Sequence, residues 1–341
     1  MKKIALLFFL TISATLAAQQ AASSFLRFGL HDGRILAKEY LRPLGEILGS
    51  NLNGGWYSNA GIHKVGGFDI SVVATYGMVP AKYEFYDLQK LAPSLQNFDF
   101  DPESSMTGAP TVAGKLLVGQ QLPSLVYKNP SGSVLPPPSL PNGTDFDAMI
   151  SPAIQGTVGL PFNTELMARF MPKVSYKDYG QANLFGVGIK HSLWDDLPFL
   201  NRIPFLRLSV MGAYSHFNSD IVLDNISFNN DVENIMRVSS DAMMARLLVG
   251  AEFPVVAVYG GLGYGHTRSS FDLKGTFSVT DFDEDGPYIS TMTDPLSLSY
   301  TKSNIDFNAG VRLKLLFLML HADYTVSEYQ AVTVGIGFHF R

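Results

Sequence analysis

The sequence predicts an all-β fold: an antiparallel transmembrane β-barrel of about 10–14 strands, with about 12 as the central expectation, plus a short N-terminal amphipathic helix as plug or cap. Three observations carry this reading. From Asn304 to Leu315 every second residue is apolar (Ile305, Phe307, Ala309, Val311, Leu313, Leu315). The residues between are Asn304, Asp306, Asn308, Gly310, Arg312 and Lys314, which makes a strand with one greasy and one strongly polar face. Such strands reach about 10 residues, as a tilted bilayer crossing requires, against a usual mode of about 5–6. Short turns near Pro161 and Pro254 alternate with long polar stretches at 218–240 and 271–296, as in outer-membrane barrels.

Taken in order, residues 1–18 read as a secretory signal: Lys2 and Lys3, the apolar run Ile4–Leu10, then small Ala14, Thr15, Ala17 and Ala18. Residues 19–65 form the plug or cap segment. Its helix is expected over 32–52, with Asp32 as N-cap, Pro43 as a kink, and Ile35, Leu36, Tyr40, Leu41, Leu44, Ile47 and Leu48 recurring at helical spacing. The barrel then occupies 66–341. Its first strand sets Phe68, Ile70, Val72 and Tyr76 against Asp69, Ser71 and Thr75. Residues 78–147, rich in Pro, Ser, Asn and Gly, read as a long loop region with room for one hairpin. Further strands are expected over 150–160, 164–176, 181–191, 205–217, 243–253 and 255–268, before the two that start at Asn304 and Leu318 and the last, at 331–340.

Composition excludes several functions. The net charge of −5 comes without any Lys/Arg run, so nucleic acid is not an expected partner. With no cysteine, a disulfide framework, a zinc-thiolate site, a Cys nucleophile and a lipidated N-terminal Cys are all ruled out. His191, His216, His266, His321 and His339 have no nucleophile motif beside them, so no enzyme is expected and no cofactor is required. The acids Asp281, Asp283, Glu284 and Asp285 lack calcium-loop spacing. Gly260, Gly261, Gly263 and Gly265 open no helix; they read as room for a neighbouring side chain rather than a phosphate loop.

The strand registers turn one set of polar residues inward: Asp69, Glu165, Arg169, Lys173, Lys190, Arg207, Arg246, Glu252, Asp306, Arg312, Lys314, His321 and Asp323. Facing lipid, each Arg or Lys would cost about 2–4 kcal/mol near the midplane. The set therefore lines a lumen, either as a selectivity lining or as a closed network of ion pairs.

Four phrases resemble a family of exported Bacteroidota proteins known as a domain of unknown function. They are Ala37–Leu44, Leu52–Tyr57, His63–Asp69 and Gly186–His191. The last strand, Val332 to Phe340, is similar to the C-terminal aromatic signature of bacterial outer-membrane barrels, although Arg341 follows Phe340. The helix-then-barrel layout is similar to outer-membrane channels for long-chain fatty acids and other hydrophobic compounds. These likenesses imply a passive outer-membrane channel for small, hydrophobic molecules, or else a sealed barrel that binds ligands through its outer loops. Its implied partners are outer-membrane lipid, lipopolysaccharide, a small hydrophobic solute and the barrel-assembly machinery that reads the last strand.

Overall fold

Period-two alternation gives each strand an inner and an outer edge of side chains, and the ladders between strands close on themselves. A computed structural model describes residues 24–128, 136–176, 180–194, 196, 203–223, 234–283 and 286–340. The strands are β1 (Phe68–Met78), β2 (Phe85–Asp87), β3 (Phe98–Phe100), β4 (Gly108–Pro110), β5 (Leu125–Tyr127), β6 (Ala148–Leu160), β7 (Thr164–Tyr176) and β8 (Gly180–Ser192). They continue with β9 (Leu206–Val222), β10 (Ile235–Glu252), β11 (Val256–Lys274), β12 (Thr276–Asp283), β13 (Gly286–Thr293), β14 (Leu296–Leu315), β15 (Leu318–Val326) and β16 (Ala331–Phe340). Ten of them form a closed antiparallel barrel in the order β1-β16-β15-β14-β11-β10-β9-β8-β7-β6.

The barrel has ten strands, not twelve. The described residues of the long connection at 79–147 add none: β2 pairs with β4 and β3 with β5, in ladders of their own above the barrel. Nor are 218–240 and 271–296 simply loops. Strands β9, β10 and β11 run into them, β14 starts at Leu296 rather than at Asn304, and β12 and β13 form a hairpin.

These extensions hide in sequence because the alternation changes its chemistry partway up. In the lower part of β11 and β14 the outward residues are apolar (Val258, Leu262, Ile305, Phe307), while Asp306, Asn308 and Arg312 point in. Higher up, Phe271, Leu273, Leu298 and Tyr300 point in, and Ser270, Asp272, Ser297 and Ser299 point out. The lower part is built for lipid outside. The upper part is built for water outside, with an apolar core within.

The helix spans Leu30–Asn53, starting at Gly29 rather than at an Asp32 cap. Asp32 instead accepts the backbone N–H of Gln96 (2.6 Å) and Asn97 (2.8 Å), tying the long connection to the first helical turn. Leu36, Tyr40, Leu41, Leu44, Ile47 and Leu48 are buried, Ile35 partly so, and the helix continues through Pro43. It begins beside Phe282 of β12, at the end of the barrel carrying the long connections, and descends until Gly54 lies against Thr75. An extended segment continues to the opposite end, where Gly66 donates to the Gly159 carbonyl (3.0 Å) just before β1. The N-terminal chain thus threads the barrel lengthwise. It neither caps the short-turn end nor lies on a membrane face.

Residues 1–18, Glu284, Asp285 and Arg341 lie outside the described residues.

Candidate functional site

Of the thirteen polar residues assigned to the lumen, twelve point inward. Nine of these are buried: Asp69, Glu165, Arg169, Lys190, Arg246, Asp306, Arg312, His321 and Asp323. Arg207, Glu252 and Lys314 sit part-buried near the short-turn end, where Lys314 (2.5 Å) and Arg207 (3.5 Å) share the Glu252 carboxylate. Lys173 is exposed at the outer rim instead. The β7–β8 register shifts between Met171 and Val174, and the extra residue flips the alternation so that Val174 takes the inward place.

Most of this set is locked around the threaded segment. Lys190 bonds Glu165 (2.9 Å), its directly opposed partner on the next strand. Glu165 also accepts from the His63 backbone and contacts His63 Nδ1 at 2.8 Å. Arg246 pairs with Asp306 and donates to the Tyr57 hydroxyl (2.7 Å), which donates to Asn308. Gly261 and Gly263 make this possible: a Cβ there would lie 2.9 Å from the Tyr57 hydroxyl and 2.6 Å from Arg246 Nε. The part of the lumen around Gly54–His63 is therefore filled, by a dense polar network interleaved with the apolar side chains of Trp56, Ala60, Met167 and Leu248. Among the described residues, however, both ring nitrogens of His321 and two of the Arg312 nitrogens have no hydrogen-bond partner.

His63, Asp69 and His339 bring three potential metal-ligating atoms together. Arg312 is already there, with Nη2 3.0 Å from His339 Nδ1 and 3.7 Å from Asp69. Glu165 and Asp69 are thus balanced by Lys190 and Arg312, which leaves little to attract a divalent cation.

Above the network lies a different kind of space. Between the helix and β6–β9 is an apolar cavity with about 1000 Å³ free of protein atoms, its open mouth included. Leu48, Leu52, Ala153, Met171, Leu184 and Phe217 line it, and Arg169 lies at its floor. The mouth is a seam in the barrel wall. β6 and β7 pair only from Leu160↔Thr164 to Ile154↔Phe170. Beyond that rung β6 stays paired to β1 and β7 to β8, but among the described residues β6 and β7 no longer pair with each other.

The sequence supplies a cause. One step on, Ala153 and Met171 hold opposing positions; the next pair is Pro152 and Pro172, neither of which has an N–H to donate. Outward-facing Ile150 and Pro152 line the cavity together with inward-facing Met149 and Ala153, so the space passes through the wall. Lipid-facing Ile154 and Phe170, 44% and 52% exposed, flank the base of the seam.

Fold and site define a class: a membrane-type antiparallel β-barrel with an internal helical plug and a side-opening apolar cavity. The chain belongs to the family described as "Family of unknown function (DUF6588)", whose sequence profile matches residues 1–340. No curated protein matches. Among solved structures, the translocator domain of autotransporter NalP from Neisseria meningitidis is 12% identical, with 88% of this chain and 94% of that one covered and a TM-score of 0.33. Ail, the attachment invasion locus protein of Yersinia pestis, is 12% identical over 81% of this chain and 98% of its own, with a TM-score of 0.26. The outer membrane transporter YddB from Escherichia coli is 7% identical over 80% and 42%, with a TM-score of 0.32. At these scores the fold stands on the strand pairing itself.

Proposed function

We propose that this protein is a bacterial outer-membrane barrel that passively takes up small hydrophobic molecules, without enzymatic chemistry or a cofactor. The observation that carries this is the seam. An apolar cavity that opens sideways beside lipid-facing residues suits a solute that partitions into membranes; a water-filled pore would need a polar axial opening instead. The helix is the gate, because Leu48 and Leu52 form one wall of the cavity and close the way down. The apolar outer band supports a place in the outer membrane. The aromatic last strand, β16, supports recognition by the barrel-assembly machinery, and lipid and lipopolysaccharide are the natural neighbours of the band.

The test is uptake of a small hydrophobic dye into proteoliposomes by the Ala153→Cys, Met171→Cys variant. The chain has no other cysteine. A short bis-methanethiosulfonate, which forms a disulfide with each cysteine as methanesulfinate leaves, should cross-link the seam and stop uptake, and reduction should restore it. Uptake that ignores the cross-link would overturn the lateral route.

A second reading has its own support, because the Arg246–Asp306–Tyr57 network holds the thread firmly. On that reading the barrel is sealed and binds ligands through its outer end. A refolded barrel that shows neither uptake nor conductance would favour it.

A further inference from the structure

Arg169 stands apart from the other cations inside the barrel. Lys190, Arg246, Arg312, Lys314 and Arg207 each lie within 4.0 Å of a carboxylate. Arg169 is only 4% exposed, yet none of the described carboxylates comes that close. Its partners are all neutral. Nη2 donates to the Gly54 carbonyl (2.9 Å) and to Gln155 Oε1 (3.1 Å), Nε to Gln155 Oε1 (3.3 Å), and Nη1 to the Leu52 carbonyl (3.3 Å). One face of the guanidinium lies over the Trp56 ring, 4.3 Å from its centroid. Five N–H groups against four bonds leave one Nη1 hydrogen uncommitted. Asp220, the carboxylate among the lining residues, is bonded by Arg237 (2.7 Å) and Gln181 (2.9 Å) and does not neutralise Arg169.

The carboxylate that acts on Arg169 electrostatically, Asp323, is out of contact with it and is engaged by Tyr259 and Asn308. A buried cation with no carboxylate in contact, at the floor of an apolar cavity, is costly unless a ligand completes it. We infer that the cavity takes an amphipathic molecule with a single anionic head: the head on Arg169, the apolar tail along the seam between Pro152 and Pro172. This rests on the reading of the cavity as the solute site and adds the chemical class of the solute. A charge-assisted hydrogen bond in this dry setting is about twice as strong as a neutral one, which makes the head group the selective element.

Trp56 is a built-in reporter, because it touches the proposed head-group site. The chain has only one other tryptophan, Trp194, so a Trp194→Phe variant isolates its signal. Full-length protein in zwitterionic lipid vesicles would be titrated with decanoate, 1-decanol and decyltrimethylammonium, each corrected for partition into protein-free vesicles. Decanoate should change Trp56 emission saturably, with half-saturation at least ~10-fold below that of 1-decanol. Arg169→Gln should bring decanoate to the level of 1-decanol while leaving 1-decanol unchanged. Arg169→Lys should keep part of the preference, which separates charge from a merely structural loss.

Equal binding of decanoate and 1-decanol would overturn the head-group assignment and leave the cavity reading standing. Decyltrimethylammonium binding as tightly as decanoate would do the same. Binding by none of the three would overturn both.

Discussion

Continued two steps beyond its last rung, Ile154↔Phe170, the β6–β7 register sets Pro152 of β6 opposite Pro172 of β7. Neither can donate to a ladder, so the wall parts where they meet. Both strands keep their other neighbours, so the opening is a local unzipping in an otherwise closed ring.

Replacing both prolines should close it. In Pro152→Val, Pro172→Val the two new amides are expected to enter the ladder, each bond adding about 0.5–1.5 kcal/mol of stability. Hydrogen exchange would show protection spreading through 148–153, and dye uptake should fall ~10-fold or more, given that the seam is the port. Unprotected amides in the double variant would mean that another force holds the strands apart.

The outer band should respond to charge by position. Phe307 is 59% exposed on the lower, apolar part of β14. Phe307→Arg should cost about 2–4 kcal/mol of folding free energy in bilayers if the residue lies near the midplane. Ser299→Arg, on the same outward face higher up, should cost almost nothing. Denaturant titrations in lipid would compare them, and equal costs would place the membrane boundary elsewhere.

Threading fixes which end of the N-terminal chain emerges where. Arg27 is exposed beside the long connections, and Lys64 at the short-turn end. If the long connections face outward, a membrane-impermeant maleimide applied to intact cells should label Arg27→Cys and leave Lys64→Cys untouched. The reverse pattern would invert the orientation.

The long connection is clamped to the barrel by Glu328, in the turn between β15 and β16. It meets Lys82 (2.6 Å) and the Tyr83 hydroxyl from the connection, and Lys302 (2.7 Å) of β14, which also bonds Glu46 of the helix (2.5 Å). Partial burial pushes the Glu328 carboxyl up, but the hydrogen bonds from Lys302, Lys82 and Tyr83 outweigh this and hold it at about 2, against an ordinary 4.5. Because the folded value is depressed, the clamp's contribution is complete above about pH 4.5 and is lost as pH falls towards 2. Glu328→Gln should reproduce the acid state at neutral pH, seen as faster proteolysis within 79–128 while the barrel stays resistant.

Much of the fold was legible because lipid outside and polar groups inside leave a plain alternation, as from Asn304 to Leu315. The same strands above the membrane level keep the alternation but exchange its chemistry. Ser297, Ser299, Ser270 and Asp272 on an outer face carry no membrane-strand signal, and that hid the upper parts of β11 and β14. Lys173 was misplaced because a one-residue bulge is invisible to a parity count. The seam did leave a trace: Pro152 and Pro172 lie ten residues either side of Phe162, the centre of the hairpin turn. Arg169 was recognisable as inward, but its lack of a carboxylate partner depends on which strands close around it, and alternation does not encode that.

The pairing of β1 with β16 joins the first and last strands of the barrel, so the circle closes only after every other strand exists. The segment inside it is synthesised before all of them. It is a string around which the hoop is fastened, rather than a cork fitted to a finished bottle. Assembly must therefore hold that string in place while the final joint is made, and faults in β16 would strand the helix outside its barrel.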